Sequence, residues 1–334
     1  MDVLSEVLRA VKLRGAVFFN AEFTAPWTVR AAQSAKYAPY LMPDAKHLII
    51  FHYVLEGHAF VRLADGERVE VKCGDIVVLP HGNEHLIGNG SVPIPIDSLK
   101  LFEISNDDSL KLAKIGGGGD PTRLVCGYMA CDPQLSEVFL STLPEVIVVH
   151  VPCESSGEWL EDSILFSVSQ ASKMGAGQGL VLSKLSEVLF VETLRRYITE
   201  LPPDQTGWLA GVRDPVIGQA LSLLHKNPEE QWTISKLVRR LGMSRSRLAE
   251  RFRHFLGISP MAYLTHWRLK LAAELLETTQ RSVIEIAAEV GYGSEAAFNR
   301  AFKREFGDPP ALFRRKQRIH DPKPASSRPR AMTA

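Results

Sequence analysis

The sequence predicts an α+β chain in two parts. A β-barrel or double-sheet jelly roll with a helical region behind it comes first, then an all-α unit built on two helix-turn-helix motifs. Three observations predict this. Short strand-like runs broken by turn residues fill the chain from Val17 to about Met129. A unit of fifty residues then repeats between Thr233 and Arg318. Finally, the charge is divided: from Gly211 onward there are 22 Lys and Arg against 12 Asp and Glu, and before it 17 against 26. A net charge of +1 therefore hides a basic half suited to a polyanion and an acidic half that would repel one.

The repeat pairs Ile234 with Ile284, Val238 with Ala288, Ser244 with Ser294 and Leu248 with Phe298. The same offset pairs Arg251–Phe252 with Ala301–Phe302, Gly257 with Gly307, Pro260 with Pro310, Tyr263 with Phe313 and Arg268 with Arg318. A shared offset at so many positions means two copies of one supersecondary unit. In the first copy Ile234, Leu237, Val238 and Leu241 have amphipathic-helix spacing, Gly242–Met243 breaks the helix, and Ser244 is placed to cap the next one. That next helix buries Leu248, Phe252, Phe255 and Leu256. In the second copy Val283, Ile286, Ala287 and Val290 lead to the Gly291–Gly293 turn, the Ser294 cap and the stripe Phe298, Phe302 and Phe306. Helix, Gly-containing turn and helix make a helix-turn-helix. The segment Met261–Glu277, preceded by the cap Ser259, joins the copies.

Stepping 100° per residue from Leu248 leaves Ser246, Arg247, Glu250, Arg253 and His254 opposite the buried stripe. In the second copy that side holds Ala296, Ala297, Arg300, Lys303 and Arg304, flanked by Glu295 and Asn299. Arg bridges a guanine edge, Asn an adenine edge, and Glu accepts from cytosine; Lys and the other Arg residues suit phosphates. An ordinary solvated face is the usual reading of such a side, but the duplicated scaffold favours DNA.

Those residues carry a resemblance. Arg251-Phe252, Gly257-Ile258-Ser259-Pro260 and Tyr263, followed by Ile286-Ala287, Gly291-Tyr292, Phe298, Phe302-Lys303, Phe306-Gly307, Pro310 and Phe313-Arg314, resemble the DNA-binding domain of the AraC/XylS transcription regulators over residues 212–318. The resemblance implies that the second helix of each copy enters the major groove, with the rod holding the copies about one duplex turn apart. It assigns base contacts to Ser246, Ala249 and Glu250, and to Ala296, Asn299 and Arg300. Ser244, Arg245, Arg247, Arg253, Glu295, Lys303 and Arg304 complete the expected interface. Glu250 departs from the family, which often has Arg there, whereas Arg300 keeps it.

Strands are expected at Leu48–Leu55, Ala59–Leu63, Glu67–Val71, Ile76–Leu79, Leu99–Ile104 and Thr122–Met129, with turns at Gly57, Asp65-Gly66, Gly74-Asp75 and Gly116–Gly119. Many short strands at this spacing argue for a barrel or jelly roll. Within them, Gly74 to Asn89 resembles the second cupin motif, matching Gly74, Pro80, Gly82, His85 and Asn89. The first motif is partial: Tyr53–Gly57 is present, but Ile50 stands where a metal-binding Glu belongs, and Asp44 and Lys46 stand in the His-x-His region. A metal enzyme needs a fuller ligand shell, so no enzyme activity, metal or cofactor is expected, with His52 and His85 as weak metal candidates.

A small-molecule site in the barrel is the better expectation. His52, His85, Cys126 and Tyr128 are its candidate residues, with Trp27, Arg30 and Tyr37 lining or covering the mouth. Core or pocket histidines are the preferred reading of His52 and His85. Cys126 and Cys131 lack the Cys-x-x-Cys spacing and read as small buried hydrophobes. Four cysteines in 334 residues make no disulfide scaffold, which suits a reducing cytoplasm.

Behind the barrel come a strand at Val146–Val151 and helices at Pro133–Leu143, Glu158–Ser172 and Leu180–Glu200. The last carries the stripe Leu182, Leu185, Val188 and Leu189, which suits packing on its own barrel and a dimer seam about equally. The expected layout is 1–150 effector domain, 151–201 helical packing or dimer region, 202–211 linker, 212–318 DNA-binding domain opened by a helix at Asp214–Lys226, and 319–334 a disordered tail. No run of about eighteen apolar residues and no basic-then-apolar N-terminus is present, so neither a membrane span nor a secretory signal is expected.

The expected function is an effector-controlled, sequence-specific transcription regulator. Its expected partners are double-stranded promoter DNA, a small-molecule effector, RNA polymerase and a second copy of the chain. A metal-dependent cupin enzyme fused to a DNA-binding domain is the alternative, and a nonspecific architectural DNA binder is a third reading.

Overall fold

The computed structural model describes residues 3–11, 13–42, 45, 47–104, 112–131, 140, 143–151, 162–163, 166 and 178–320. The helices expected at Pro133–Leu143 and Glu158–Ser172 fall almost entirely outside these residues, as do Asp44, Lys46, Cys153 and the tail beyond His320. The chain divides into two compact units, Met1–Gly218 and Gln219–Ala334.

The first unit opens with α1 (Val3–Val11) and is built from two sheets. Its strands are β1 (Arg14–Thr24), β2 (Trp27–Ala31), β3 (His47–Glu56), β4 (His58–Leu63), β5 (Val69–Lys72), β6 (Asp75–Leu79), β7 (His85–Asn89), β8 (Ile96–Asp97), β9 (Ala113–Gly116), β10 (Pro121–Cys131) and β11 (Ile147–His150). The short helices α2 (Ala38–Leu41) and α3 (Ser98–Ile104) interrupt them. One sheet has the order β11-β6-β3-β10-β1-β9 and the other β5-β4-β7-β2-β8. Residues of both sheets, among them Phe23, Val54, Leu124, Val61 and Ile87, share one buried core. This is the double-sheet architecture expected from the strand spacing.

The expected strand at Leu99–Ile104 is a helix. The Asp97 carboxylate accepts from the Leu99 backbone N–H at 2.9 Å, as an N-terminal cap does, and this local bond wins over the alternating apolar pattern. Two turn glycines behave as read. Gly74 and Gly82 have φ of 87° and 62°, and a Cβ at Gly82 would stand 2.6 Å from the Leu48 carbonyl oxygen.

Behind the sheets, α4 (Gln178–Glu200) packs on β1, β10 and β11. Its buried side is Leu182, Ser186, Leu189, Phe190, Thr193, Leu194 and Ile198, and Val188 faces out, against the expected stripe. The discrepancy has a cause. The hydroxyls of Ser186 and Thr193 donate to the carbonyls of Leu182 and Leu189, both at 2.8 Å, so these polar residues enter the core satisfied. Among the described residues, Leu180, Val181, Val188 and Val191 of α4 remain exposed. The expected linker 202–211 is also shorter than read, because α5 (Trp208–Arg213) begins inside it and packs on α4.

In α6 (Pro215–Lys226) Ala220, Leu221 and Leu224 are buried. There follow α7 (Ile234–Leu241), α8 (Arg245–Leu256), α9 (Pro260–Thr278), α10 (Val283–Glu289), α11 (Glu295–Phe306) and α12 (Pro310–His320). The fifty-residue repeat is reproduced at the caps, the helix ends and the aromatic contact of the second helix in each copy. Ser244 accepts from the N–H of Arg247 and Ser294 from that of Ala297, at 3.3 Å and 3.2 Å. Gly257 and Gly307 end their helices in the left-handed region and donate to the carbonyls of Arg253 and Lys303. Phe252 meets Tyr263 edge-on at 6.3 Å, and fifty residues on Phe302 meets Phe313 edge-on at 5.3 Å. The joining rod is capped by Ser259, as expected.

The turn at Gly291 packs closely against Arg268 of α9 and the Pro228 carbonyl, and its own carbonyl accepts from the Gln231 side chain at 3.1 Å. Gly291 has φ 87°, and a Cβ there would lie 2.6 Å from the Arg268 guanidinium and 2.8 Å from the Pro228 carbonyl oxygen. Arg268 itself donates to the carbonyls of Pro228 and Glu230, so it is not free to retreat. Gly291→Ala is expected to cost about 1–3 kcal/mol of stability. Chemical denaturation of wild type and variant measures it, and an unchanged midpoint would remove the assigned role of this turn.

Candidate functional site

Two places in the molecule carry chemistry. The first is the outer side of α8 and α11. Leu248 and Phe252 on one, Phe298 and Phe302 on the other, have no exposed surface. Each pair fixes the rotation of its helix, and the opposite side follows from 3.6 residues per turn. From Leu248 to Pro260 and from Phe298 to Pro310 the sequence of buried, half-buried and exposed positions is the same at every step. Ser244, Arg245, Ser246, Arg247, Glu250 and Arg253 are exposed, and Ala249 is half-buried. Glu295, Ala296, Arg300, Lys303 and Arg304 are exposed, and Asn299 is half-buried. Arg245 donates to the Ser235 hydroxyl of α7 at 2.6 Å, and the Ser244 hydroxyl is used as the cap of α8. The expected interface thus forms two matching surfaces, richer in Arg and Lys than in acids.

The second place is a cavity between the sheets of the first unit, with an open mouth. Its wall includes Phe19, Phe23, Val29, Ala31, Ile50 and Leu124, with His52, His85, Cys126, Tyr37 and Ser98 as the polar residues. Strand register explains who meets whom. On β3 and β10, His52 stands directly opposite Cys126, while His85 arrives from β7 in the other sheet. The His52 Nδ1 lies 2.9 Å from the Cys126 Sγ, and the His52 Nε2 lies 2.8 Å from the His85 Nε2. The His85 Nδ1 lies 2.9 Å from the Asn83 carbonyl oxygen.

This chain of contacts admits one arrangement of protons. A carbonyl oxygen only accepts, so the His85 Nδ1 carries a hydrogen, and in a neutral ring its Nε2 then accepts. The His52 Nε2 must donate, its Nδ1 accepts, and Cys126 supplies the S–H. Burial disfavours charge here and agrees with that assignment: His52 is held well below the usual histidine value, His85 is lowered to about 4, and the Cys126 thiol is pushed up to about 12. The contact between the two neutral imidazoles therefore ties one sheet to the other, and the Cys126 thiol fixes the His52 ring from within its own sheet.

Of the expected effector residues, His52, His85, Cys126 and Tyr37 line this cavity. Tyr128 belongs to the same core, but its hydroxyl donates to the Leu41 carbonyl at 3.1 Å and is not part of the wall. Trp27 is buried behind the wall, stacked on Phe23 with 4.2 Å between ring centres. Arg30 is exposed, because it alternates out of phase with Val29 and Ala31, which face in. His47 lies outside the cavity against the Pro80 carbonyl. Ser98 was missed, since the segment after it reads as a strand. Among the described residues no group of three or more His, Cys, Asp or Glu could hold a metal ion. The two imidazole Nε2 atoms face each other, and the thiol sits on the other side of His52.

Residues 2–199 match the cupin family model, and residues 237–316 match a helix-turn-helix domain. An HTH-type transcriptional regulator of Acinetobacter baylyi, AlkR, is 30% identical over 94% of this chain and 99% of its own length. An AraC-like transcription regulator of Streptomyces lividans is 30% identical over 94% of this chain and 98% of its own. The chain belongs to the AraC-like transcriptional regulators.

In this AraC-like regulator the two matched domains fall on the two sites: the cupin match contains the cavity and the helix-turn-helix match contains α8 and α11. Among the described residues no helix is long and apolar enough to cross a membrane.

The neutral histidines make stability depend on pH with a defined sign. His85 has a folded pKa near 4, below its unfolded value of about 6.5, so the unfolded chain takes up protons first on acidification. Its contribution is complete above pH about 6.5 and is lost as pH falls towards 4, at up to about 1.4 kcal/mol per pH unit. His85→Asn should flatten the decline of the first unit's unfolding free energy between pH 7 and 4. A decline of unchanged slope would show that His85 is not held neutral.

Proposed function

We propose that this regulator reads operator DNA with the exposed sides of α8 and α11, under the control of a small molecule held in the cavity of the first unit. The observation that carries the reading is the matched pair of surfaces. Two helices whose burial pattern agrees step by step, and whose outward residues differ, suit two half-sites of different sequence. Arg300 is assigned to a guanine edge, Asn299 to an adenine edge, and Glu250 to a cytosine amino group. Lys303, Arg304, Arg247 and Arg253 are assigned to phosphates, where they position the protein without selecting sequence.

Control by the cavity is read as a population shift, in which the ligand favours one of two ways the first unit presents the second. The same reading assigns pairing with a second copy to the Leu180, Val181, Val188 and Val191 side of α4, and makes RNA polymerase the partner at the promoter. The enzyme alternative finds no added support in the cavity, whose histidines are spent on each other.

Arg300→Ala is expected to cost about 1–3 kcal/mol on the preferred operator and to relax base choice at one position. Lys303→Ala should instead weaken all sequences alike and lower the salt slope by about one. Gel-shift titrations on operator and single-base variants measure both, and unchanged affinity and preference in Arg300→Ala would overturn the assignment. The stoichiometry of the same complexes reads the pairing: two chains per operator support it, and one chain removes it.

A further inference from the structure

The polar residues of the cavity form two groups, and they differ in what they leave over. Cys126, His52, His85 and the Asn83 carbonyl satisfy one another in sequence, so no donor of that chain remains for a guest. The second group is Tyr37 and Ser98. Their hydroxyls are hydrogen-bonded to each other, and the Ala32 backbone N–H donates to both, at 2.9 Å and 3.2 Å. Two hydroxyls bring two protons, and their mutual bond uses one. The Ala32 N–H is itself a donor and accepts neither. One O–H proton is therefore left over at the wall of an otherwise apolar cavity.

The electrostatics narrow the guest further. Among the described residues no cation lines the cavity. Asp97, next to Ser98, places a negative field on the Tyr37 hydroxyl, opposing any anion there. Burial of a carboxylate without a paired cation is costly, whereas a neutral carbonyl or ether oxygen needs one donor and nothing else.

Resting on the reading that this cavity is the regulator's ligand site, we infer that its ligand is an uncharged, mostly apolar molecule carrying one hydrogen-bond-accepting oxygen, which the Tyr37–Ser98 pair receives. The apolar body lies against Phe19, Phe23, Ile50 and Leu124. The His52–His85–Cys126 chain lines the same cavity and selects by its lack of charge.

Three probes of similar size test this on the full-length chain by isothermal titration: benzylacetone, butylbenzene and hydrocinnamate. The ketone is expected to bind about three- to tenfold tighter than the hydrocarbon, the margin of one neutral hydrogen bond, and at least about tenfold tighter than the carboxylate. In a Tyr37→Phe/Ser98→Ala double variant the ketone's advantage over butylbenzene should vanish while butylbenzene binding stays. A second double variant that also removes both O–H donors, Tyr37→Phe/Ser98→Gly, keeps the test open if the first does not fold.

Tightest binding of hydrocinnamate, an advantage of the ketone that survives both variants, or no binding of any probe would overturn the inference. Operator affinity measured with each probe separates it from the reading beneath it. If hydrocinnamate binds tightest and shifts operator affinity, the regulatory cavity stands and the ligand class falls. If the ketone binds with the stated pattern and no probe shifts operator affinity, the ligand class stands and the control of DNA binding falls.

Discussion

Every surface assigned to DNA depends on one packing constraint used twice: a fully buried phenylalanine that stops the second helix of each motif from turning about its axis. Phe252 is held edge-on by Tyr263, and Phe302 by Phe313, each partner coming from the helix that follows the left-handed glycine. Burying a side chain of this size is worth about 1.5–3 kcal/mol relative to exposure, and rotating the helix by one position would forfeit it. Sequence can therefore vary freely on the outer side while the angle of presentation stays fixed. That is how one scaffold offers Glu250 at a position where its duplicate offers Arg300.

The first unit obeys a different constraint, satisfaction of buried polar groups. His52 and His85 come from opposite sheets, and each is deprived of water. Two imidazoles can be buried together at low cost if each has one proton and one lone pair correctly aimed. The Asn83 carbonyl at one end and the Cys126 thiol at the other set those directions. The outcome is a cavity with polar residues in its wall and almost no unspent polarity, which is why the few hydroxyls remaining acquire the power to select.

The second unit was almost fully legible in the sequence, because its signals are local and repeat: caps three residues from their N–H partners, glycines at the helix ends, aromatic residues on a 3.6-residue period. Long strands such as β3 and β10 were legible for a related reason, and they offered His52 and Cys126 as candidates on separate strands before the register that pairs them was known. What stayed hidden depended on bonds that leave no periodic trace. Ser186 and Thr193 lie in the core of α4 only because each returns its proton to its own helix. Residues 98–104 turn into a helix on the strength of Asp97, and with them Ser98 reaches the cavity wall. Trp27, Arg30 and Tyr37 were grouped at the mouth without a strand in view, and in β2 Arg30 takes the exposed position between Val29 and Ala31.

The proposed reading makes its sharpest demand on the DNA. Two second helices carried on a common rod should recognise two blocks of sequence separated by about one helical turn, roughly 10–10.5 base pairs between centres. Selection of bound duplexes from a random library by the full-length chain measures this directly. The account predicts enrichment of two unlike blocks at that separation. Enrichment of a single block, or none above the input library, would contradict it.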